Sequence, residues 1–213
     1  MASSSFLVTL ERNPAITMEV MSGHFTTSIT HLSHYLNVSA LKSNTRIARE
    51  VARELAAPYL ATTLIDTIVC LEKTEVIGAF LAEELTAEGV AAVNGGREMF
   101  VVTPLSNNVG HLSFQGSMVN HITGKNVLLL TASVSSGRTV DGAMDCITYY
   151  NGTVAGISSI FLADTKINEP KINSLFTSEH IPGYKLYNSR KCAMCKAGQK
   201  LDALISAEGY SKI

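Results

Sequence analysis

The chain has 213 residues, of which 46% are hydrophobic and 16% are charged, and this length supports one sizeable core with a small appended part. No apolar run approaches the roughly 20 residues of a membrane helix, and the cations are scattered rather than clustered as nucleic-acid binding requires. The first residues lack the basic and apolar stretches of a secretory signal, so we expect a cytoplasmic protein with reduced cysteines and neither membrane nor nucleic-acid partners.

The first predicted helix begins near Asn44 and ends before Pro58, because the apolar residues between them repeat at helical spacing. The short apolar run of residues 64–71 predicts a strand. Residues 77–85 return to helical spacing and predict a second helix.

A projecting hairpin is predicted in the middle of the chain. Residues 90–93 predict a short strand after Gly89, and a glycine-rich break follows it. Two extended arms joined through residues 104–108 then predict a hairpin over about residues 97–115.

The strongest pattern lies in residues 126–162. Residues 126–130 (NVLLL) predict a buried strand, residues 131–139 a small polar loop, the following residues a helix, and residues 153–162 another strand. This alternation predicts an α/β fold with a mostly parallel sheet flanked by helices. Ligands of such sheets bind beyond the carboxyl ends of the strands, where the polar loops fall.

The end of the polar loop has a composition that suits a phosphate group. Its residues are Ser135, Ser136, Gly137, Arg138 and Thr139. Glycine allows close approach of the backbone, the hydroxyls donate hydrogen bonds, and free amides at a helix N-terminus attract anions. An ordinary strand-to-helix turn, with Thr139 or Asp141 as the N-cap, explains the same composition.

Residues 127–139 (VLLLTASVSSGRT) resemble the phosphoribosyl pyrophosphate motif of type I phosphoribosyltransferases. In that motif a hydrophobic strand leads into two acids and then into a Ser/Thr-rich loop with glycine. The resemblance places residues 135–139 on the 5′-phosphate loop and Thr131 and Ala132 on the two acidic positions. It covers most of residues 22–162, and its arrangement is most like the orotate branch.

The resemblance implies one domain over residues 1–213, with a small hood. We assign residues 1–60 to an N-terminal hood and helical part, 61–165 to the core, and 166–213 to a C-terminal extension. The segment of residues 22–36 (SGHFTTSITHLSHYL) is similar to the family's N-terminal region. The family also implies a homodimer and magnesium when the ligand carries a diphosphate.

The acidic pair of the family is missing, so the resemblance leaves enzymatic activity undecided. In the family these carboxylates bind the ribose hydroxyls and favour the cationic transition state. Thr131 offers one hydroxyl at this place and Ala132 offers nothing. A transferase and a non-catalytic regulatory protein therefore both fit the motif.

The family's pyrophosphate loop corresponds to Glu72, Lys73 and Thr74, with Glu75 following. One hypothesis is that Glu72 or Glu75 substitutes for the lost acids. The alternative is that both glutamates are solvated at a helix N-terminus, where negative charge is favourable.

The hairpin of residues 97–115 corresponds to the family's mobile catalytic loop, which carries basic residues. Residues 99–118 contain no Lys or Arg; Arg97 lies at the base of the loop and His111 within it. His111 is a candidate proton donor, and a surface histidine is the simpler interpretation.

Cys192 and Cys195 form a CxxC pair that suits half of a zinc site or a redox pair. No second CxxC or HxxxH follows nearby, so we assign no metal and keep these two cysteines as weak candidates. A contribution from His180 or a metal shared by two protomers would complete a site. His31 and His34 are interpreted as ordinary polar residues.

The sequence thus supports two functions. The first is a phosphoribosyltransferase-like protein of nucleotide metabolism that binds phosphoribosyl pyrophosphate or a nucleoside monophosphate and transfers phosphoribose to a pyrimidine-like base such as orotate. The second is a non-catalytic protein that binds the same ligands and regulates a partner.

Overall fold

A computed structural model describes residues 4–89, 92–107, 110–163, 171–206 and 209–213. In chain order its strands and helices are β1 (Ser5–Thr9), β2 (Thr17–Thr26), β3 (Thr30–Asn37), α1 (Ser39–Ser43), α2 (Thr45–Ala56), β4 (Thr67–Cys70), α3 (Glu75–Thr86), β5 (Phe100–Val102), β6 (Leu105–Ser106), β7 (Leu112–Ser113), β8 (Asn126–Val134), α4 (Arg138–Tyr149), β9 (Thr153–Leu162), β10 (Ile172–Thr177), β11 (Leu186–Asn188), α5 (Ala193–Lys196), β12 (Ala203–Ser206) and β13 (Gly209–Lys212). Among these described helices, none is long and apolar enough to cross a bilayer.

The centre of the protein is a five-stranded sheet in the order β10-β9-β8-β4-β5, with every neighbouring pair parallel. Alternate residues of β8 point to opposite faces, as strand geometry requires. Leu128 and Leu130 pack with α2 and α3 on one face, whereas Val127 and Leu129 pack with α4 on the other. The predicted α/β fold with a parallel sheet and flanking helices is confirmed.

A second sheet forms a hood from both ends of the chain. Its order is β11-β3-β2-β12-β13, with β1 paired to β2. Strand β12 runs parallel to β2, with Ala203 opposite Phe25. The last forty residues therefore complete a sheet that the first forty begin.

The predicted helices agree with the structure. Helix α2 begins where expected because the Asn44 side chain accepts hydrogen bonds from the amides of Arg46 and Ile47, which makes it the N-cap. Helix α3 contains the predicted apolar face, and strand β9 has the predicted bounds.

Strand β8 is longer than predicted. It continues through Thr131 to Val134 because β9 offers ladder partners this far, with Thr131 opposite Ser159 and Val134 opposite Leu162. Residues 131–134 therefore belong to the sheet, and the polar loop is shorter than the sequence indicated.

The middle of the chain also differs from the prediction. Residues 92–93 are not in a strand, while residues 90–91 lie outside the described part. The first arm of the predicted hairpin, β5, instead joins the central sheet beside β4. A shorter antiparallel pair of β6 and β7 remains, and residues 108–109 between them also lie outside the described part.

Gly156 is a position at which the core has no space for a side chain. It lies at a register shift between β8 and β9, and a Cβ there would be 2.6 Å from Cε1 of buried Tyr59. We expect Gly156→Ala to lower the free energy of unfolding by about 1–3 kcal/mol through overpacking. Gly142→Ala in α4 is the matched control, since its Cβ would meet open space and it should stabilise the helix by about 0.5–1 kcal/mol. Urea unfolding measures the free energy of unfolding of both variants. Equal changes in this free energy would contradict the prediction.

Candidate functional site

A cavity of about 790 Å³ lies between the carboxyl ends of the central strands and the hood. The central sheet contributes Glu72 and residues 132–140 to its wall. The hood contributes the β2–β3 turn of residues 27–30 and the β12 residues 204–206. The cavity thus lies where ligands bind in open parallel sheets.

The loop of residues 135–139 opens into this cavity at the beginning of α4. Gly137 is the N-cap, has a φ of 78°, and accepts the first helical hydrogen bond from the Asp141 amide at 2.9 Å. A left-handed φ favours glycine at this point. No side chain caps the helix, so neither Thr139 nor Asp141 has the N-cap role considered above. The amides of residues 138–140 have no partner within the helix and are directed toward its N-terminal end.

Two aromatic rings form a wall beside the loop. Burial raises the pKa of the Tyr184 phenol, and the side chain of Ser135 partly opposes this effect. The His34 ring is stacked on Tyr184 with centroids 6.1 Å apart and an interplanar angle of 24°. Burial lowers the pKa of His34, so the imidazole is neutral near pH 7. This wall therefore presents uncharged ring surface to the cavity.

The Glu72 carboxylate occupies the space beside the two positions that lack acids. Its Oε2 accepts hydrogen bonds from Thr131 Oγ1 at 3.1 Å, from the Ser133 amide at 2.8 Å and from Ser133 Oγ at 3.3 Å. Thr131 is fully buried and Ala132 nearly so. The Glu72 carboxylate of the neighbouring loop is thus held within hydrogen-bond distance of the C-terminal end of β8.

Backbone strain accompanies this placement. Glu72 and Lys73 have φ values of 52° and 61°, a left-handed conformation that costs non-glycine residues about 1–3 kcal/mol each. The loop is anchored by buried Thr74, whose hydroxyl donates to the carbonyl of Leu71 at 2.8 Å. Lys42 Nζ donates to the Glu72 carbonyl at 2.9 Å. Consecutive strained residues that turn a carboxylate into a cavity are typical of functional sites.

The two glutamates of this loop have different surroundings. Glu75 is exposed in the first turn of α3 and accepts a hydrogen bond from Thr103 Oγ1 at 3.0 Å. Glu75 thus has the solvated position at a helix N-terminus that we gave above as the alternative for both glutamates. Glu72 alone of the pair lines the cavity.

Arg97 and His111 lie apart from the cavity wall. Arg97 forms a salt bridge of 3.1 Å with Asp66, which immediately precedes β4 and is therefore at the opposite, N-terminal edge of the sheet. His111 is exposed in the β6–β7 hairpin, where its amide donates to Asn107 Oδ1 at 2.9 Å. Its neighbours Gly110 and Leu112 line the cavity, whereas His111 does not.

A cluster of four side chains lies in the hood and includes both cysteines of the CxxC pair. It consists of His24, His31, Cys192 and Cys195, whose ligand atoms all lie within 4.8 Å of one another. His180 is elsewhere, where its Nδ1 accepts from the Thr177 amide. His31, which the sequence led us to interpret as an ordinary polar residue, lies beside His24 because of the β2–β3 pairing, with its Nδ1 3.0 Å from His24 Nε2.

Sequence reasoning missed several residues of the cavity wall. Lys42 follows the hood strands on the short helix α1, and Tyr184 comes from the C-terminal extension. Neither residue stands in a motif. The one local signal is weak: Lys42 follows an apolar strand and precedes a capped helix.

The sequence matches no protein-family model and no curated protein. Two solved structures are similar to this chain in fold. UMP synthase from Leishmania donovani has a TM-score of 0.55 and 19% identity over 75% of this chain, which spans only 34% of that protein's length. Adenine phosphoribosyltransferase from Thermoanaerobacter pseudethanolicus has a TM-score of 0.50 and 14% identity over 81% of this chain and 94% of its own.

The different surroundings of the two glutamates predict different costs of removal. Glu72→Ala leaves the Ser133 amide and the Thr131 hydroxyl without their acceptor, so we expect a loss of about 1–2 kcal/mol in the free energy of unfolding. The matched variant Glu75→Ala should cost less than about 0.5 kcal/mol, because that carboxylate is exposed. Urea unfolding at neutral pH measures both losses. A loss for Glu72→Ala no larger than that for Glu75→Ala would contradict the placement of the Glu72 carboxylate.

Proposed function

Because the chain has the type I phosphoribosyltransferase fold, we propose that its cavity binds phosphoribosyl pyrophosphate or a nucleoside 5′-monophosphate. One observation carries the proposal. The loop of residues 135–139 turns at Gly137, and the uncapped N-terminal amides of α4 point into a cavity at the carboxyl edge of the sheet. Ser135, Ser136 and Thr139 supply hydroxyl donors there, and Arg138 adds positive charge.

Glu72 is proposed to bind the ribose hydroxyls. The Glu72 carboxylate lies beside Thr131 and Ala132, the places at which the family motif has its two acids. Ribose hydroxyls would join Thr131 and Ser133 as donors to it. When the bond between ribose C1 and pyrophosphate breaks, the electron pair leaves with pyrophosphate and the ring becomes cationic. A fixed carboxylate stabilises that cation more than the neutral ground state.

The base is proposed to lie on the hood side of the cavity. Tyr184 and His34 present neutral ring faces, and the β2–β3 turn adds the hydroxyls of Thr27, Ser28 and Thr30. Such a surface suits a planar heterocycle with polar edges. A pyrimidine such as orotate is our proposal for the base, from the resemblance of the motif to the orotate branch. We also propose a cytoplasmic homodimer that takes magnesium with a diphosphate ligand.

A regulatory protein without catalysis is the second candidate. It is favoured by the departure at Thr131 and Ala132 and by the absence of Lys and Arg from residues 99–118. A pure binding protein needs the phosphate loop but not groups that stabilise charge on the leaving pyrophosphate. Turnover therefore separates the two candidates, whereas ligand binding is common to both.

Thr139→Val tests the phosphate loop. It removes one hydroxyl donor at nearly constant volume, so we expect the dissociation constant for phosphoribosyl pyrophosphate or a nucleoside monophosphate to rise about tenfold. Thr148→Val on the exposed far part of α4 is the matched control and should bind like the wild type. Titration calorimetry with phosphoribosyl pyrophosphate, ribose 5-phosphate and nucleoside monophosphates measures this. If the wild-type protein binds none of these compounds, the proposed function is wrong.

Glu72→Gln tests the ribose contact. Isotope exchange between pyrophosphate and phosphoribosyl pyrophosphate, with the base and its nucleoside monophosphate present, reports reversible cleavage at C1. We expect Glu72→Gln to slow this exchange by roughly 10²-fold or more, the cost of losing one preorganised electrostatic group. Glu75→Gln, the control from the same loop, should exchange at the wild-type rate. Equal rates in both variants would exclude Glu72 from the reaction, and binding without exchange by the wild type would select the regulatory candidate.

A further inference from the structure

The four-residue cluster in the hood has the donor set of a structural zinc site. His24 Nε2 lies 3.0 Å from His31 Nδ1, 3.5 Å from Cys192 Sγ and 3.7 Å from Cys195 Sγ. Cys195 Sγ lies 3.3 Å from His31 Nδ1. Two thiols and two imidazoles form one of the usual four-ligand sets for zinc.

The distances agree with the edges of a coordination tetrahedron. With Zn–N of about 2.05 Å and Zn–S of about 2.3 Å, a tetrahedral site has edges of about 3.3 Å between nitrogens, 3.6 Å between nitrogen and sulfur and 3.8 Å between sulfurs. The observed N–N separation of 3.0 Å and N–S separations of 3.3–3.7 Å fall within about 0.4 Å of these values. The ligand atoms of all four residues lie within 4.8 Å of one another, so the separations from Cys192 Sγ to His31 and to Cys195 would close by about 1 Å at most around a metal.

The fold explains why these residues meet. Thr26 of β2 is opposite His31 of β3, and His24 lies two residues from Thr26 in the irregular stretch between Ser22 and Phe25. The 3.0 Å separation of their ring nitrogens shows that both histidines lie on one face. Strand β11 pairs with β3, with Tyr187 opposite His31. The chain that leaves β11 therefore passes beside the histidines and delivers the CxxC turn to them.

The hydrogen bonds of His24 leave its ligand atom available. His24 Nδ1 lies 3.0 Å from the carbonyl oxygen of Gln199, which can only accept, so Nδ1 carries the hydrogen and Nε2 the lone pair. A hydrogen bond from the second ring nitrogen to a carbonyl is the usual outer contact of a zinc-bound histidine. Without a metal, His31, Cys192 and Cys195 would compete to donate to this single lone pair. A cation accepts a lone pair from each of the four groups.

Burial is also that of a metal site. His24, His31 and Cys192 are buried, whereas Cys195 is exposed and provides a path for the ion to enter. Softness and geometry favour zinc among the common divalent metals, because two thiolates and two imidazoles in a tetrahedron suit it. Four protein ligands leave no open position for catalysis.

We propose that His24 Nε2, His31 Nδ1, Cys192 Sγ and Cys195 Sγ bind one structural Zn²⁺ that fastens the C-terminal segment to the β2–β3 hairpin of the hood. The backbone supports the same junction, since Asp202 exchanges hydrogen bonds of 2.7 Å and 2.8 Å with the backbone of His24. Strand β12 follows at once and contributes residues 204–206 to the cavity wall. The metal would therefore hold one wall of the cavity in place.

The primary experiment measures metal in the untagged full chain expressed with added zinc. We expect one zinc per chain by mass spectrometry, and after exchange a Co²⁺ spectrum with thiolate charge transfer and the intense d–d bands of a tetrahedral ion. A strong chelator should lower the Tm of the wild-type protein. These readouts do not depend on phosphoribosyl ligands, so this inference and the proposed function fail separately.

Two pairs of matched variants locate the metal. Cys195→Ser and His31→Gln should lose the zinc, and the chelator should no longer change their Tm. Cys146→Ser and His180→Gln, which change the same residue types outside the cluster, should retain one zinc per chain. Because Cys195 is exposed, its serine variant is expected to fold, and circular dichroism checks this.

Three outcomes would overturn the proposal. The first is wild-type protein with far less than one zinc and no tetrahedral cobalt spectrum. The second is retention of zinc by both Cys195→Ser and His31→Gln, which would place the metal elsewhere. The third is metal-free protein with a disulfide between Cys192 and Cys195, which would make the pair a redox site.

Discussion

The parallel pairing of β4 with β8 is the constraint on which the cavity depends. Cys70 is opposite Leu130 in this ladder, so the loop after β4 and the last residues of β8 meet at one edge of the sheet. Glu72 then lies within reach of Thr131 and Ser133 although about sixty residues separate them in the chain. The parallel register thus places the Glu72 carboxylate beside Thr131 and Ala132, two strand positions without an acidic side chain.

The hood imposes a second long-range constraint. Strands β2 and β12 come from opposite ends of the chain and run side by side, and Asp202 and the cysteine pair contact the His24 region. Because the β2–β3 turn and residues 204–206 line the same cavity as residues 135–139, both ends of the chain shape the cavity. Small sheets gain little stability from their own cores, so the proposed zinc at this junction would stabilise the hood.

Elements with strong local signals could be predicted, and those that depend on partners could not. Helix α2 has both a cap and a periodic apolar face, so its bounds follow from residues 44–56 alone. Strand β8 ends at Val134 because β9 continues to offer partners, which no property of residues 131–134 reveals. Similarly, β5 belongs to the central sheet rather than to a hairpin because β4 has a free edge beside it.

The sequence by itself determined the α/β class, the loop of serines and glycine at residues 135–139 and the absence of acids at Thr131 and Ala132, since each depends on residue type and near spacing. Only the tertiary structure distinguished the surroundings of Glu72 from those of Glu75, and only it brought His24 and His31 to the CxxC pair. These juxtapositions arise from strand register and from the joining of the two chain ends. Both are set by packing between distant segments, which leaves no trace in the local pattern of residues.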